Sequence, residues 1–394
     1  MSVAVASLAL FAVATWRLTR SRYRLWEVIA FGIALVVATN MIHGWRAGIA
    51  APIAYDARSS VFVPVSSNGE QLYHDALGIS NPVQLLRDYT DVQSTLHQHS
   101  RTHPPGAVLM FYMLVKLLRN PAVIAIAIAA VALSLSVSFL GALLTRELNL
   151  SAGPYVAFLY ALVPAVQIYY LANLDAIVAA LLLGGVYLFL RPGTLSLIGS
   201  TLFMASGLFL TFGAIFALPV VSGFELLRRR TLRRAIALGL SLLGIYGMLD
   251  LVFGFNYWTS FRIASRYENP KGFRGFAEPI NFAFTRLEDV AEIVLFFGPF
   301  LGALLVRQLR RRRTSPDLDV LFGVAVGTLI LMFLTGAYRT GETARSCMYA
   351  LPYLFLPVAA YLSDRPPSER DQVLLASLVF GQAVAMQLAA NYYW

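Results

Sequence analysis

Cysteine is almost absent: Cys347 is the single one in 394 residues. No internal disulfide and no multi-cysteine metal site can therefore form within the chain. Charge is scarce as well. Only 13% of residues are charged, against 58% hydrophobic and a mean hydropathy of +0.66, whereas a soluble domain carries about 25% charge. Histidine is rare, with 5 in the chain. No low-complexity tract and no internal repeat stands out. The chain offers no stretch that reads as a soluble domain. These deficits point to an all-α, polytopic membrane protein.

What charge there is has a pattern. The net charge is +10, but the basic residues sit in short clusters between apolar runs. That distribution follows the positive-inside rule and not a nucleic-acid surface, so no nucleic-acid partner is expected. Arg17, Arg20, Arg22 and Arg24 form the first anchor. Arg228, Arg229, Arg230, Arg233 and Arg234 form the second. Arg307 and the run from Arg310 to Arg313 form the third. The spacing of apolar runs between them predicts a single transmembrane domain over 1–394, with roughly 11–13 transmembrane or re-entrant helices. The opening run Val3–Trp16 is read as a retained first span, not a cleaved signal.

With the anchors in the cytoplasm, two long connections fall outside. One spans 43–104 and the other 256–288. At roughly 60 residues the first is too long for an idle connection and is expected to be functional. Pro82–Tyr89 and Asp91–His97 within it read as short amphipathic surface helices. The outer side also collects carboxylates, among them Glu70, Asp75, Glu278, Glu288, Asp289 and Glu342.

Two topologies satisfy the anchors equally. In the first, Pro105–Leu118 is a re-entrant or surface helix and 192–224 is a hairpin. In the second, both are single full spans. The first puts Asp175 outside, with Arg146 and Arg191 inside. The second puts Asp175, Lys116 and Arg119 inside. A run of 14 residues is short for a span, which favours the first. A break in 192–224 is expected at Gly207, Gly213 or Pro219.

Certain residues have the chemistry for a site. Glu70 or Asp75 could serve as a general base on a hydroxyl or amine; the plainer reading is a solvated carboxylate or helix cap. His103-Pro104-Pro105-Gly106 starts a helix rigidly, because the prolines fix φ and lack donors. His103 could there meet a phosphate at the helix N-terminus, or simply be an interfacial histidine. Asp175 opens an apolar helix, as either a first-turn acid or a functional group. Arg339, Glu342 and Arg345 lie in a short turn between spans. Arginine forks bind phosphate oxygens bidentately; the alternative is an interfacial ion pair. His97, His99 and His103 lack a paired ligand motif, so no histidine metal site is expected.

These motifs together resemble the GT-C superfamily of membrane glycosyltransferases, which includes protein O-mannosyltransferases and aminoarabinose transferases. The resemblance rests on an outer-loop acid followed by tyrosine (Glu70, Tyr73, with Asp75 beside it), on His103-Pro104-Pro105, and on Asp175 opening a span. Gly341–Pro357 (GETARSCMYALPYLFLP) is similar to a bacterial subgroup of that superfamily. The usual Asp-Glu pair of the first loop is absent, which leaves Glu70 and Asp75 both open as the base. The resemblance implies a GT-C-like bundle in the cytoplasmic (inner) membrane. It also implies a polyprenyl phosphate sugar as donor, a glycan, lipid or protein acceptor, and inverting transfer at the outer face. Tyr73, His103, Asp175, Arg339, Glu342 and Arg345 would bind substrate, and Asp175 would orient the acceptor or a divalent cation, Mg or Mn. A transporter or lipid flippase, or an inactive relative, are the alternatives.

Overall fold

The computed structural model describes residues 2–54, 71–270, 272–311, 315–338 and 342–392. Among these every regular element is helical and no strand occurs. Six helices are long and apolar enough to cross a membrane: Val3–Arg20, Leu25–His43, Pro121–Glu147, Arg233–Phe253, Pro316–Leu334 and Glu369–Ala389. The chain is thus an all-α polytopic membrane protein. The other apolar runs are cut into shorter helices, including Pro105–Leu118, Gly153–Leu162, Leu174–Leu190 and Thr194–Leu210.

The starts of these helices are written in the sequence. Asn120 accepts hydrogen bonds from Ala122 N (2.9 Å) and Val123 N (3.4 Å), with Pro121 as the first helical residue. Asn81 and Pro82 do the same for Pro82–Val92. Ser315 caps Pro316–Leu334 through Leu318 N at 3.3 Å. A polar cap satisfies donors that the helix leaves orphaned, and proline at the first position forfeits nothing.

Contacts divide the bundle into two ends. At the arginine end, Arg191 pairs with Glu147 at 3.7 Å, Arg228 with Asp317, and Arg17 with Glu27 at 2.7 Å. Ala152 N bonds Ser363 Oγ, and the hydroxyls of Tyr155 and Tyr23 both bond Gln372. At the opposite, loop end, Asn40 Nδ2 donates to the Gln167 carbonyl at 2.7 Å and Gln387 Nε2 donates to Asn40 Oδ1 at 3.1 Å. The acid-rich connections lie at this end.

This division decides between the two topologies. Leu174–Leu190 ends at the arginine end, and Thr194–Leu210 packs back along it, with Ser200 Oγ on the Gly185 carbonyl at 2.8 Å. A 3-10 turn over Phe212–Phe216 follows, then Ala217–Phe224. Arg229 beyond it reaches the Leu190 carbonyl, and Arg234 reaches those of Phe189, Arg191 and Gly193. Both ends of 192–224 therefore lie at the arginine end, as a hairpin requires. Pro121–Ala142 runs in the same direction as Leu174–Leu190, since Phe139 meets Tyr187 and Glu147 meets Arg191 at their C-terminal ends. Pro105–Leu118 consequently begins and ends at the loop end, as expected of a re-entrant or surface helix.

The hairpin breaks over 211–216: Thr211 leaves the helix (φ −151°, ψ 143°) and Gly213 lies in the 3-10 turn that follows, whereas Gly207 and Pro219 stay helical. Thr211 Oγ1 accepts from Gly213 N, offering the backbone a bond that competes with the helix. Gly207 instead stays helical and lets Leu182 approach. The apolar run 290–306 is not one straight helix: the chain bends by 102° between Pro279–Phe297 and Pro299–Arg311. Gly298 adopts φ +100° there and Pro299 cannot continue the ladder.

Candidate functional site

Over residues 71–104 the first loop is a folded object. Asp75, in the helix Gln71–Leu77, accepts from the His97 backbone N (3.1 Å) and from its Nδ1 (2.7 Å). Gln71 Oε1 accepts from His99 N at 2.8 Å. Tyr89, fully buried, donates to the carbonyls of Ser100 (3.0 Å) and His103 (2.7 Å). Short polar helices cannot bury enough apolar surface to fold alone, so these side-chain bonds fix the loop.

They also fix His103. Its Nδ1 lies 2.7 Å from the His99 carbonyl, which can only accept, so Nδ1 carries the proton and Nε2 the lone pair. Burial pushes the imidazole below its ordinary pKa, and the His99 bond opposes this in part. At neutral pH His103 is therefore an uncharged acceptor at Nε2, and a cation only when protonated. Pro105 then opens Pro105–Leu118, and Gly106 abuts the carbonyl and ring of Phe209 near the hairpin tip. A side chain at position 106 has no room.

Asp175 is the second residue of Leu174–Leu190, where Asn173 Oδ1 caps its N–H at 2.9 Å. Arg345 sits in the four-residue helix Thr343–Ser346. Its Nε lies 3.7 Å from Asp175 Oδ2 and its terminal nitrogen 3.6 Å from Glu342 Oε2. Both separations exceed the about 2.8 Å of a tight charged hydrogen bond. The guanidinium lies between these two carboxylates. His103 lies within the electrostatic reach of Arg345, Glu342 and Glu268.

Four of the residues expected at the site thus share the loop end: His103, Asp175, Glu342 and Arg345. Asp75 does not join them, because both its oxygens are committed to His97 and its side chain is only 11% exposed. Tyr73 is buried and lies edge-on to His74 at 5.6 Å. Glu70 and Arg339 lie outside the described residues. Among the described residues, no three His, Cys, Asp or Glu side chains converge as metal ligands. Asp175 and Glu342 flank a guanidinium that already supplies the positive charge, so this donor set does not suit a divalent cation as it stands.

Sequence reading did not single out Arg286, Asp289 and Glu292 as site residues. Asp289 is fully buried, and these three hold the turn that carries Arg345 (see below). Charges at three-residue steps on a largely apolar helix were the available signal.

No family model matches the chain, and no curated protein matches it.

Proposed function

We propose that the protein is an inverting glycosyltransferase of the GT-C type. It would use a polyprenyl-phosphate sugar at the outer face of the cytoplasmic membrane. The observation that carries this reading is the meeting of Asp175, Glu342 and Arg345 at the end of the bundle where His103-Pro104-Pro105 starts a helix. Three segments far apart in sequence contribute an acid, a cation and a phosphate-compatible helix start to one face. The exclusion of the anchoring arginines from that face supports its outward orientation under the positive-inside rule.

In this mechanism a carboxylate takes the proton of the acceptor hydroxyl. The acceptor oxygen attacks the anomeric carbon from the face opposite the phosphate. The bond from that carbon to the phosphate oxygen breaks, and polyprenyl phosphate leaves with the electron pair. Asp75 is occupied by His97, so Glu70 takes the role of base. Arg345 turns from its carboxylates toward the leaving phosphate and stabilises charge that develops only in the transition state. Arg339, six residues earlier in the sequence, is proposed to share this role. His103 accepts a hydrogen bond at Nε2 from the acceptor or the sugar. Asp175 holds Arg345 between turnovers and orients the acceptor. No step is routed through a metal ion.

Purified protein incubated with labelled polyprenyl-phosphate sugars and candidate acceptors tests this. Wild type transfers label, while Glu70→Gln and Arg345→Met each reduce transfer by roughly a hundredfold or more. A protein that neither binds nor consumes any such donor overturns the reading. Transfer undiminished in Glu70→Gln removes the base assignment.

A further inference from the structure

The helix Pro279–Phe297 is amphipathic in the inverted sense. Arg286, Asp289 and Glu292 follow at steps of three and share the face turned to the bundle. Ile280, Phe284, Leu287 and Val294 share the opposite face and are exposed. The inward face grips both ends of the crossing from the Pro316–Leu334 helix to Thr343–Ser346. Arg286 donates to the carbonyls of Phe333 (2.9 Å), Ala337 (2.8 Å) and Tyr338 (3.1 Å). It also pairs with Asp289 at 3.0 Å. Asp289 Oδ1 accepts from Thr343 Oγ1 at 2.5 Å, and Glu292 Oε2 accepts from Ala344 N at 3.1 Å.

The gripped backbone is not relaxed. Gly336 has φ +81° and Tyr338 has φ +72°. A bulky aromatic rarely adopts that conformation, and it persists where the surroundings over-determine it. Arg286 bonds the carbonyl of Tyr338 itself. On the far side of the turn, Thr343 and Ala344 are held immediately before Arg345.

We propose that Arg286, Asp289 and Glu292 are positioning residues, a clamp that sets the Arg345 guanidinium against Asp175, with the Thr343 hydroxyl as its latch. The clamp goes beyond the transferase reading, and only its consequence for transfer rests on that reading. Asp175, Asp289, Glu292 and Glu342 lie at this end of the bundle with Arg286 and Arg345, and an unclamped turn would let Arg345 pair with any of the four. The clamp occupies Asp289 with Arg286 and Thr343 and engages Glu292 with the turn backbone. Arg345 is left facing Asp175 and Glu342.

The chain carries its own reporter. Cys347 is 3% exposed, and its N–H bonds the Thr343 carbonyl at 2.9 Å. Labelling by N-ethylmaleimide in detergent micelles reads the opening of the turn without any substrate. Thr343→Val removes the hydroxyl at nearly constant shape, and Thr343→Ser restores a donor. A hydrogen bond to a charged acceptor is strong enough that Thr343→Val labels roughly tenfold faster or more, while Thr343→Ser labels like wild type. Equal rates in all three proteins overturn the clamp. So does fast labelling in Thr343→Ser, which would trace the opening to packing. Where wild type transfers sugar, Thr343→Val lowers kcat about tenfold with little change in KM, because a misplaced group is lost chiefly in the transition state. Thr343→Ser recovers it. Faster labelling with kcat unchanged makes the clamp structural only and overturns the positioning role. If wild type transfers nothing, the transferase reading fails, and the labelling comparison still decides the clamp.

Discussion

Gly106→Ala probes the packing that brings the candidate site together. A Cβ at position 106 would stand 2.7 Å from Phe209 Cγ, with the Phe209 carbonyl oxygen and Cδ1 closer still. Favourable carbon contacts lie at about 3.5–4.0 Å, so one element must move by roughly 1 Å. The nearest obstacle is backbone, which cannot rotate away as a side-chain tip would. Overpacking of this kind costs about 1–3 kcal/mol, offset by up to about 1 kcal/mol from replacing glycine in a helix. The net expectation is a loss of roughly 1–2 kcal/mol. Gly239→Ala is the matched control. It sits inside Arg233–Phe253 with nothing within 4 Å of its added carbon, and gains up to about 1 kcal/mol. Unfolding by sodium dodecyl sulfate in mixed micelles, followed by tryptophan fluorescence, compares the two. If Gly106→Ala is as stable as Gly239→Ala, the hairpin tip does not meet the start of Pro105–Leu118. The shared end of His103 and Asp175 then loses its support.

Further outcomes are expected. Arg345→Met removes the cation 3.7 Å from Asp175 and destabilises by on the order of 2 kcal/mol, and adding Asp175→Asn recovers part of that loss; a double-mutant cycle by the same titration measures it. His103 is held below its ordinary pKa by burial. The unfolded chain therefore binds the proton more readily, and the stability contributed by neutral His103 is present above the ordinary histidine value and lost as pH falls below it. Unfolding titrations between about pH 7.5 and about pH 5 should show this acid loss in wild type and a flatter profile in His103→Gln. Arg234→Ala frees the carbonyls of Phe189, Arg191 and Gly193 and should loosen the hairpin ends by about 1–3 kcal/mol, read as faster proteolysis between 190 and 234. In a Cys347→Ser background, an impermeant thiol reagent added from outside should label a single cysteine at 119 and leave one at 191 unlabelled. Labelling at 191 and not at 119 from outside would refute the re-entrant placement of Pro105–Leu118.

Much of the fold was legible because its signals are local. Apolar runs, arginine anchors and cap-proline pairs such as Asn120-Pro121 act within a few residues, so the all-α membrane class and most helix starts could be read directly. The short Pro105–Leu118 run and the overlong 192–224 run already carried the right topology between them. What length could not decide was where each run ends in space. That required Arg234 on the carbonyls after Leu190, a contact 43 residues apart. The bend at Gly298 was missed because a Gly-Pro pair inside an apolar run looks much the same whether the helix kinks or turns by 102°.

The candidate site divides in the same way. Residue type alone singled out His103, Asp175, Glu342 and Arg345, since ionisable groups beside apolar helices are costly and therefore informative. Their meeting was not in the sequence, because Asp175 and Arg345 are 170 residues apart and only packing joins them. The fate of Asp75 was equally hidden. Its carboxylate looked as free as any other until His97, 22 residues away, was found bonded to both its oxygens. So the sequence by itself determined that this is a helical membrane protein and which side chains are expensive enough to matter. Tertiary structure decided which of them meet, which are spent on structure, and that Arg286, Asp289 and Glu292 hold the Arg345 turn. The physical reason is that helix formation is local, whereas pairing of charges depends on contacts between segments distant in the chain.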